Sequence, residues 1–351
     1  MAGLSHKERI MRCIRGEEVD HLPIQIEFTP AALDKVTRAW GTTPDEEELI
    51  NRLDNHIVYA YLNDPFGNIR KRKYSATEKI VYDDWGVGWD TQQEGTFLAV
   101  HPLKDKENYA NYKFPDPYAP GLMDMAATVV AKYSDEYLVP SYQVTCLFER
   151  AWALRSMEEF LVDLILDPDF SDEILEKITC YQIEIAKRYV DTGVNCGRTG
   201  DDYGGQNNMI MSPAIWRKLI KPKLARIWEV YKQAGLPIIH HSCGDVRLIL
   251  DDLVEMGLDI LHPVQPQAMP IEELEKRYGK SLVFYGGIST QVTLPFGTPE
   301  DVRNEVKRCI QVLGANSKYI IAPSVQISSE VPLVNIEALI EAVEDYKIGK
   351  L

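Results

Sequence analysis

The stretch Pro237-Ile238-Ile239-His240-His241-Ser242-Cys243-Gly244 sets an imidazole and a thiol one residue apart at the end of an apolar run. Residues i and i+2 of a strand project to the same side. A strand continuing through Cys243 therefore brings the His241 and Cys243 side chains together, and Gly244 lets the backbone turn. A nitrogen and a sulfur donor side by side suit a borderline metal such as zinc. The same spacing also fits two half-buried residues closing a strand with no metal. His240 faces the other side of such a strand and reads as a packed residue.

The elements that must position this pair follow from hydrophobic periodicity. A first helix spans 5–15, with Ser5 and Glu8 at capping-box spacing. Residues 24–28 alternate as a strand, Thr29-Pro30 opens a helix, 45–53 is helical and 57–62 is a second apolar run. Residues 79–100 differ in texture. Two β-like runs flank a turn-rich stretch holding Trp85 and Trp89, which predicts an inserted β-hairpin packed on its tryptophans. Beyond it, strands at 137–144, 194–202, 237–243, 259–263, 282–288 and 319–323 alternate with helices at 122–133, 148–165, 171–192, 212–234, 245–256, 270–278, 299–313 and from 335.

About eight such alternations point to an α/β chain with parallel strands. A doubly wound open sheet is the rival architecture. The even alternation and the lack of a Gly-rich phosphate loop after the first strand favour a (β/α)8 TIM barrel, residues 1–351 forming one domain. In that fold the working residues sit at the C-terminal ends of strands. Polar clusters recur there: Asn63-Asp64, Tyr142-Gln143, Asp201-Asp202, His241-Ser242-Cys243, His262 to Gln265, Gly286 to Ser289 and Pro323-Ser324.

Hydrophobic residues make up 45% and charged residues 26%, which supports a packed soluble core. A net charge of −15 argues against general affinity for nucleic acid or anionic membrane. No run is long and apolar enough for a transmembrane helix, and the polar start, 1–15, has no apolar signal region. Six cysteines without a repeating spacing fit reduced thiols in the cytoplasm.

Several motifs, taken together, resemble the uroporphyrinogen decarboxylase superfamily. They are Phe148-Glu149-Arg150-Ala151-Trp152, Gly200-Asp201-Asp202-Tyr203-Gly204, His241-Ser242-Cys243-Gly244, Tyr285-Gly286-Gly287-Ile288, Leu294 to Glu300 and Ile321-Ala322-Pro323-Ser324. The superfamily includes the decarboxylase of haem synthesis and zinc methyltransferases that work with corrinoid proteins. The decarboxylase has an arginine-rich N-terminal stretch for its porphyrinogen carboxylates. The matching residues here, Leu22 to Phe28, contain no arginine. Holding eight carboxylates without cations is costly, so the resemblance leans to the methyltransferases of the methylcobalamin:coenzyme M and O-demethylase type.

Those methyltransferases hold zinc with a His-x-Cys pair and a later cysteine. His241 and Cys243 match the pair, and Val325 stands about where the third ligand would fall. Asp201, Asp202, Glu149 and Gln265 are the candidates to complete the shell. The resemblance implies zinc as Lewis acid or thiol activator, and a methyl group moved between a small methylated or methoxylated compound, or a thiol, and cobalamin on a corrinoid protein partner. Asp202, Glu149 and Asp64 are the candidate acid/base residues. Tyr142, Gln206 and Gln265 would orient substrate. Asp64 lies near the position of the decarboxylase's catalytic aspartate. Decarboxylases of the superfamily are commonly dimers, which implies a homodimer.

Bland roles stand beside these. Asp201 and Asp202 can cap the next segment, Glu149 can pair with Arg150, and His262 can be structural. Met209 and Met211 read as core, and Lys218, Lys221 and Lys223 as a solvated helix face. Two other readings stay open: a metal-free lyase acting on a smaller carboxylic acid, and a non-catalytic subunit that binds a corrinoid partner.

Overall fold

The computed structural model describes residues 3–42, 46–63, 79–92, 94–95 and 97–351. Asp64 lies outside the described residues. The centre is a six-stranded parallel sheet in sequential order: β4 (Gln143–Val144), β5 (Gly197–Gly200), β6 (Ile238–His241), β7 (Ile260–Val264), β8 (Val283–Ile288) and β9 (Tyr319–Pro323). These strands are short and buried on both faces, as parallel strands covered by helices must be. Isolated parallel bridges continue the pairing beyond both edges. Ile24 pairs with Ile321 and Asn55, Ile57 with Leu138, Ala60 with Ser141, and Pro140 with Cys196.

One face of the strands contributes an apolar cluster of Ile57, Tyr59, Ile239, Ile260, Tyr285 and Ile320. Ile10 and Cys13 of the helix His6–Arg15 join the same cluster. Each fully buried aliphatic side chain here contributes about 1.5–3 kcal/mol. The other face packs on helices. His240, fully buried, stacks on Tyr203, lies edge-on to Trp228 and bonds Thr199 Oγ1 through Nδ1. The ladder register decides what meets at the strand ends. Gly200 lies opposite His241, and His241 opposite His262.

Four expectations need correction. The single long helix predicted from 148 is two helices, Phe148–Arg155 and Met157–Leu166. Ser156 between them has φ +82° and caps the second through its Oγ, so the break precedes Asp167-Pro168. Asp167 then caps the helix Pro168–Thr192, which begins earlier than its apolar stripe suggested. The β-like region is a three-stranded antiparallel sheet, β1 (Ile80–Tyr82), β2 (Gly88–Asp90) and β3 (Phe97–Val100), rather than a hairpin of two. Lys223 is buried and paired with Asp172, so it leaves the solvated lysine face.

Asp83 holds the antiparallel sheet together and to the rest of the fold. Its carboxylate accepts from the backbone N–H of Trp85 and Val87, from Trp89 Nε1, and from Arg150 Nη1 at 2.6 Å. Arg150 is thereby tied to Asp83, 67 residues away.

The amino-terminal helix is tied down by ions. His6 Nε2 meets Asp54 at 2.9 Å and His6 Nδ1 meets Glu136 at 2.9 Å, while Lys347 joins Asp54 at 3.0 Å. Burial opposes protonation of His6, but the two carboxylates outweigh it and raise its pKa above the usual value of 6.5. A raised folded-state pKa contributes stability that is complete below the unfolded value and fades as pH rises through the folded one. His6→Gln is therefore expected to lower the thermal midpoint more at about pH 5.5 than at about pH 9. Equal losses at both pH values would show that the charge on His6 contributes nothing.

Candidate metal centre

Three loops, following β5, β6 and β7, converge above the sheet. Asp201 N–H donates to His241 O, Tyr203 N–H to Ser242 Oγ, and Ser242 N–H to His262 O. Asp245 N–H donates to Gly205 O at 2.8 Å. The first two loops approach so closely that only glycine fits. A Cβ on Gly244 would lie 2.3 Å from the Gly204 backbone, and Gly244 has φ +80°, where glycine is favoured.

This stitching brings Asp202, His241 and Cys243 to one spot, with a ligand-type atom of each within 4.8 Å of the others. His241 Nε2 lies 3.6 Å from Cys243 Sγ and 3.4 Å from Asp202 Oδ1. The Cys243 N–H donates to Asp202 Oδ1 at 2.8 Å, which fixes the carboxylate over the pair. Behind them, His241 Nδ1 is 2.8 Å from His262 Nδ1. Burial, and then the His241 charge, hold the His262 imidazole well below its usual pKa, so it is neutral.

The donor set suits a cation. Burial first, then the Asp202 and Glu149 carboxylates, push the Cys243 thiol well above its ordinary pKa. Burial works against the Asp202 carboxylate, yet His241 and the Cys243 N–H hold it below its usual range. A cation between the Cys243 sulfur and the Asp202 carboxylate would favour the thiolate there. Tetrahedral zinc, with Zn–S of about 2.3 Å and Zn–N or Zn–O of about 2.0 Å, separates its ligand atoms by roughly 3.3–3.5 Å. The two spacings from His241 Nε2 match that, so these residues fit a zinc ion.

The other expected site residues fall in different places. Glu149, half-buried, acts electrostatically on Cys243, and its N–H donates to Asp201. Asp201 is not in the cluster. Its buried carboxylate accepts from Leu147 N–H, Glu149 N–H and Tyr203 Oη, capping the helix Phe148–Arg155 from a neighbouring strand. Gln265 accepts from the Gly244 N–H and so holds the loop that carries Cys243. Tyr142 packs edge-on against Tyr59 and tilted against Tyr61. Gln206 is exposed and accepts from Gln291. Val325 offers no lone pair, and among the described residues Asp202 is the carboxylate grouped with the pair at ligand spacing.

One residue was left undecided by the sequence reading and another escaped it. His262 orients His241 across the ladder, a pairing that only the strand register reveals. Arg198, buried in the middle of β5, lies 4.7 Å over the rings of both Tyr59 and Tyr142. A lone arginine inside an otherwise uncharged strand was the available signal. Tyr59 and Tyr61 also line a cavity of about 430 Å³ with Gln25, Glu27, Asn55 and Gln326.

A second trio, His6, Asp54 and His56, has ligand-like spacing among the described residues. Its chemistry is different. His6 is engaged by carboxylates on both nitrogens, and His56 Nε2 lies 2.9 Å from the Arg9 guanidinium. A resident arginine repels a cation, so this trio is an ionic lock.

The methylcobamide:CoM methyltransferase MtaA of Methanosarcina barkeri is 25% identical to this chain over 99% of both. A uroporphyrinogen decarboxylase of Thermus thermophilus is 27% identical, but over 49% of this chain and only about half (48%) of its own length. Among solved structures, a methyltransferase from Methanosarcina mazei superposes with a TM-score of 0.70 at 18% identity, covering 98% of this chain and 99% of that one, a likeness of fold. The uroporphyrinogen decarboxylase (URO-D) profile matches residues 82–346, which include the strand ends and loops that build the cluster; the chain belongs to that family of enzymes.

Proposed function

We propose that this protein is a corrinoid-linked methyltransferase whose Asp202, His241 and Cys243 hold a zinc ion. The observation that carries the reading is the convergence of these donors at zinc-like separations, on loops pinned by Gly204 and Gly244. The near full-length likeness to a methylcobamide:CoM methyltransferase supports it, as does the absence of arginine from Leu22 to Phe28. The parallel bridges from Ile24 to Ile321 and from Pro140 to Cys196 support closure of the sheet into an eight-stranded barrel, with the cluster at its C-terminal mouth.

Bound there, zinc would supply Lewis acidity towards an oxygen or sulfur of the methylated substrate or thiol. The chain's residues prepare that position. Neutral His262 accepts the Nδ1 proton of His241 and so leaves Nε2 free as a donor. The N–H of Cys243 fixes Asp202, and Glu149 stands near the thiol as acid or base. With Asp202 taking the place that Val325 cannot fill, the shell is His, Cys and carboxylate, leaving a position for substrate. A separate corrinoid protein docking at the mouth would carry the methyl group.

Elemental analysis of the purified chain tests the reading. About one zinc per chain, lost in the His241→Ala/Cys243→Ala double variant, is the expected result. No metal after zinc has been supplied would remove the Lewis-acid mechanism and favour a lyase.

A further inference from the structure

The first two extended segments of the chain, 24–28 and 55–61, are joined backbone to backbone at their start. Ile24 pairs with Asn55, and the His56 N–H donates to Ile24 O at 3.0 Å. Beyond that level each segment turns to its other neighbour. Gln25 N–H and Thr29 N–H donate to Ile321 O and Ile327 O, whereas Val58 N–H and Ala60 N–H donate to Leu138 O and Pro140 O. Side-chain amides bridge the gap instead. Gln25 Oε1 accepts from the Ile57 N–H at 2.9 Å, and Asn55 accepts from the Ile26 N–H at 2.7 Å and donates to Ile26 O at 2.9 Å. Paired strands lie about 4.8 Å apart. An amide side chain set between two backbones holds them wider than that.

The cavity of about 430 Å³ lies in this gap. Ile57, Tyr59 and Tyr61, from the cluster on one face of the strands, line it. So do Ile26, Phe28 and Leu53, from the cluster that packs on the helices. A cavity lined from both faces crosses the sheet, and its volume is that of a small-molecule site. Its charged lining residues, Glu27 and Asp34, are both acids; no lysine, arginine or histidine lines it among the described residues. Asp34 pairs with Arg38. Glu27, half-buried, makes no ion pair among the described residues. It accepts from Tyr285 Oη and Gln25 Nε2, both at 3.2 Å, which leaves lone pairs over. Arg198, seated over the Tyr59 ring, attracts Glu27 without pairing with it and is outside the lining. Aromatic faces beside a carboxylate are the groups that recognise an organic cation. We propose that this cavity is a binding site for a small organic cation, a protonated or quaternary amine on an apolar body, with its charge at Glu27 and its body against the helices Pro30–Trp40 and Glu46–Leu53. Asp202, His241 and Cys243 do not line the cavity, so the proposal does not depend on the methyl-transfer reading.

The test is calorimetric titration of the full chain with four probes of one shape: benzyltrimethylammonium, benzylammonium, neutral benzyl alcohol and benzoate. At least one ammonium is expected to bind about tenfold or more tighter than the alcohol, and benzoate more weakly than either. The ranking of the two ammonium probes tells a quaternary from a protonated amine. Glu27→Gln keeps the shape of the side chain and an acceptor for Tyr285 and Gln25. It should bring the ammonium affinities down to that of the alcohol and leave the alcohol unchanged. Leu33→Trp, which fills the cavity from the helix side, should remove binding of every probe. If that variant does not fold, Glu27→Gln decides by itself. Equal affinity for ammonium and alcohol in the wild type, an ammonium preference that survives Glu27→Gln, or binding that survives in folded Leu33→Trp overturns the proposal.

Discussion

Cys243→Ser is expected to weaken zinc binding by roughly 10²–10³-fold and to reduce methyl transfer to a corrinoid partner in proportion. Protein zinc sites of about four ligands bind with roughly 10–16 kcal/mol. One ligand is then worth about 2.5–4 kcal/mol, at about 1.4 kcal/mol per tenfold. Serine keeps the volume but replaces a soft sulfur with a hydroxyl that does not ionise at neutral pH. Asp202→Asn should be milder, because its amide oxygen can still accept from the Cys243 N–H and only the charge is lost. Competition with a chromogenic chelator reads both affinities. Retention of zinc at wild-type affinity in Cys243→Ser would place the metal, and the chemistry, elsewhere in the chain.

Asp83→Ala should be the most damaging single change to stability. It removes the carboxylate that pairs with Arg150, whose side chain is 5% exposed, and that accepts from Trp85 N–H, Val87 N–H and Trp89 Nε1. Removing one member of a buried ion pair costs about 3–5 kcal/mol. At about 2.1 cal/mol/K per residue of unfolding entropy, a chain of 351 residues would lose roughly 4–7 °C of melting temperature. Replacing both partners by apolar residues is often close to neutral. The double variant Asp83→Leu/Arg150→Met should therefore regain much of the loss. Scanning calorimetry of the two single variants and the double gives the coupling. If Arg150→Met alone is as stable as the wild type and Asp83→Ala matches it, the pair is dispensable.

What the sequence discloses and what it hides follow from distance along the chain. The β/α alternation is legible because each strand and helix has its own period. The His241–Cys243 pairing is legible from the one-residue spacing, although the strand expected to run through Cys243 ends at His241 and the thiol comes back to the imidazole on the loop that follows. Both are local. The participation of Asp202 is half legible: its place at a strand end could be seen, but not that β5 lies beside β6 with Gly200 level with His241. The same register places His262 behind His241, where the sequence left it undecided. Asp201 and Asp202 look equivalent as neighbours, yet one caps a helix and the other faces the thiol. Arg150 could be matched in sequence only with its neighbour Glu149, and its ion pair with Asp83 of the antiparallel sheet lies 67 residues away. Ser156 breaks its helix through a positive φ that no apolar stripe encodes.

The contact between Gly204 and Gly244 sets how the site fills. Backbone hydrogen bonds and a glycine–glycine approach hold the loops of Asp202 and Cys243 through contacts of the chain with itself. On the zinc reading, no segment would have to fold around the metal. Loading should then follow simple bimolecular kinetics, with an observed rate that rises linearly with free zinc and no plateau from a slow ordering step. Stripping the ion would leave a cradle ready to be refilled, so exchange of zinc for cobalt(II) as a spectroscopic substitute needs no denaturation cycle.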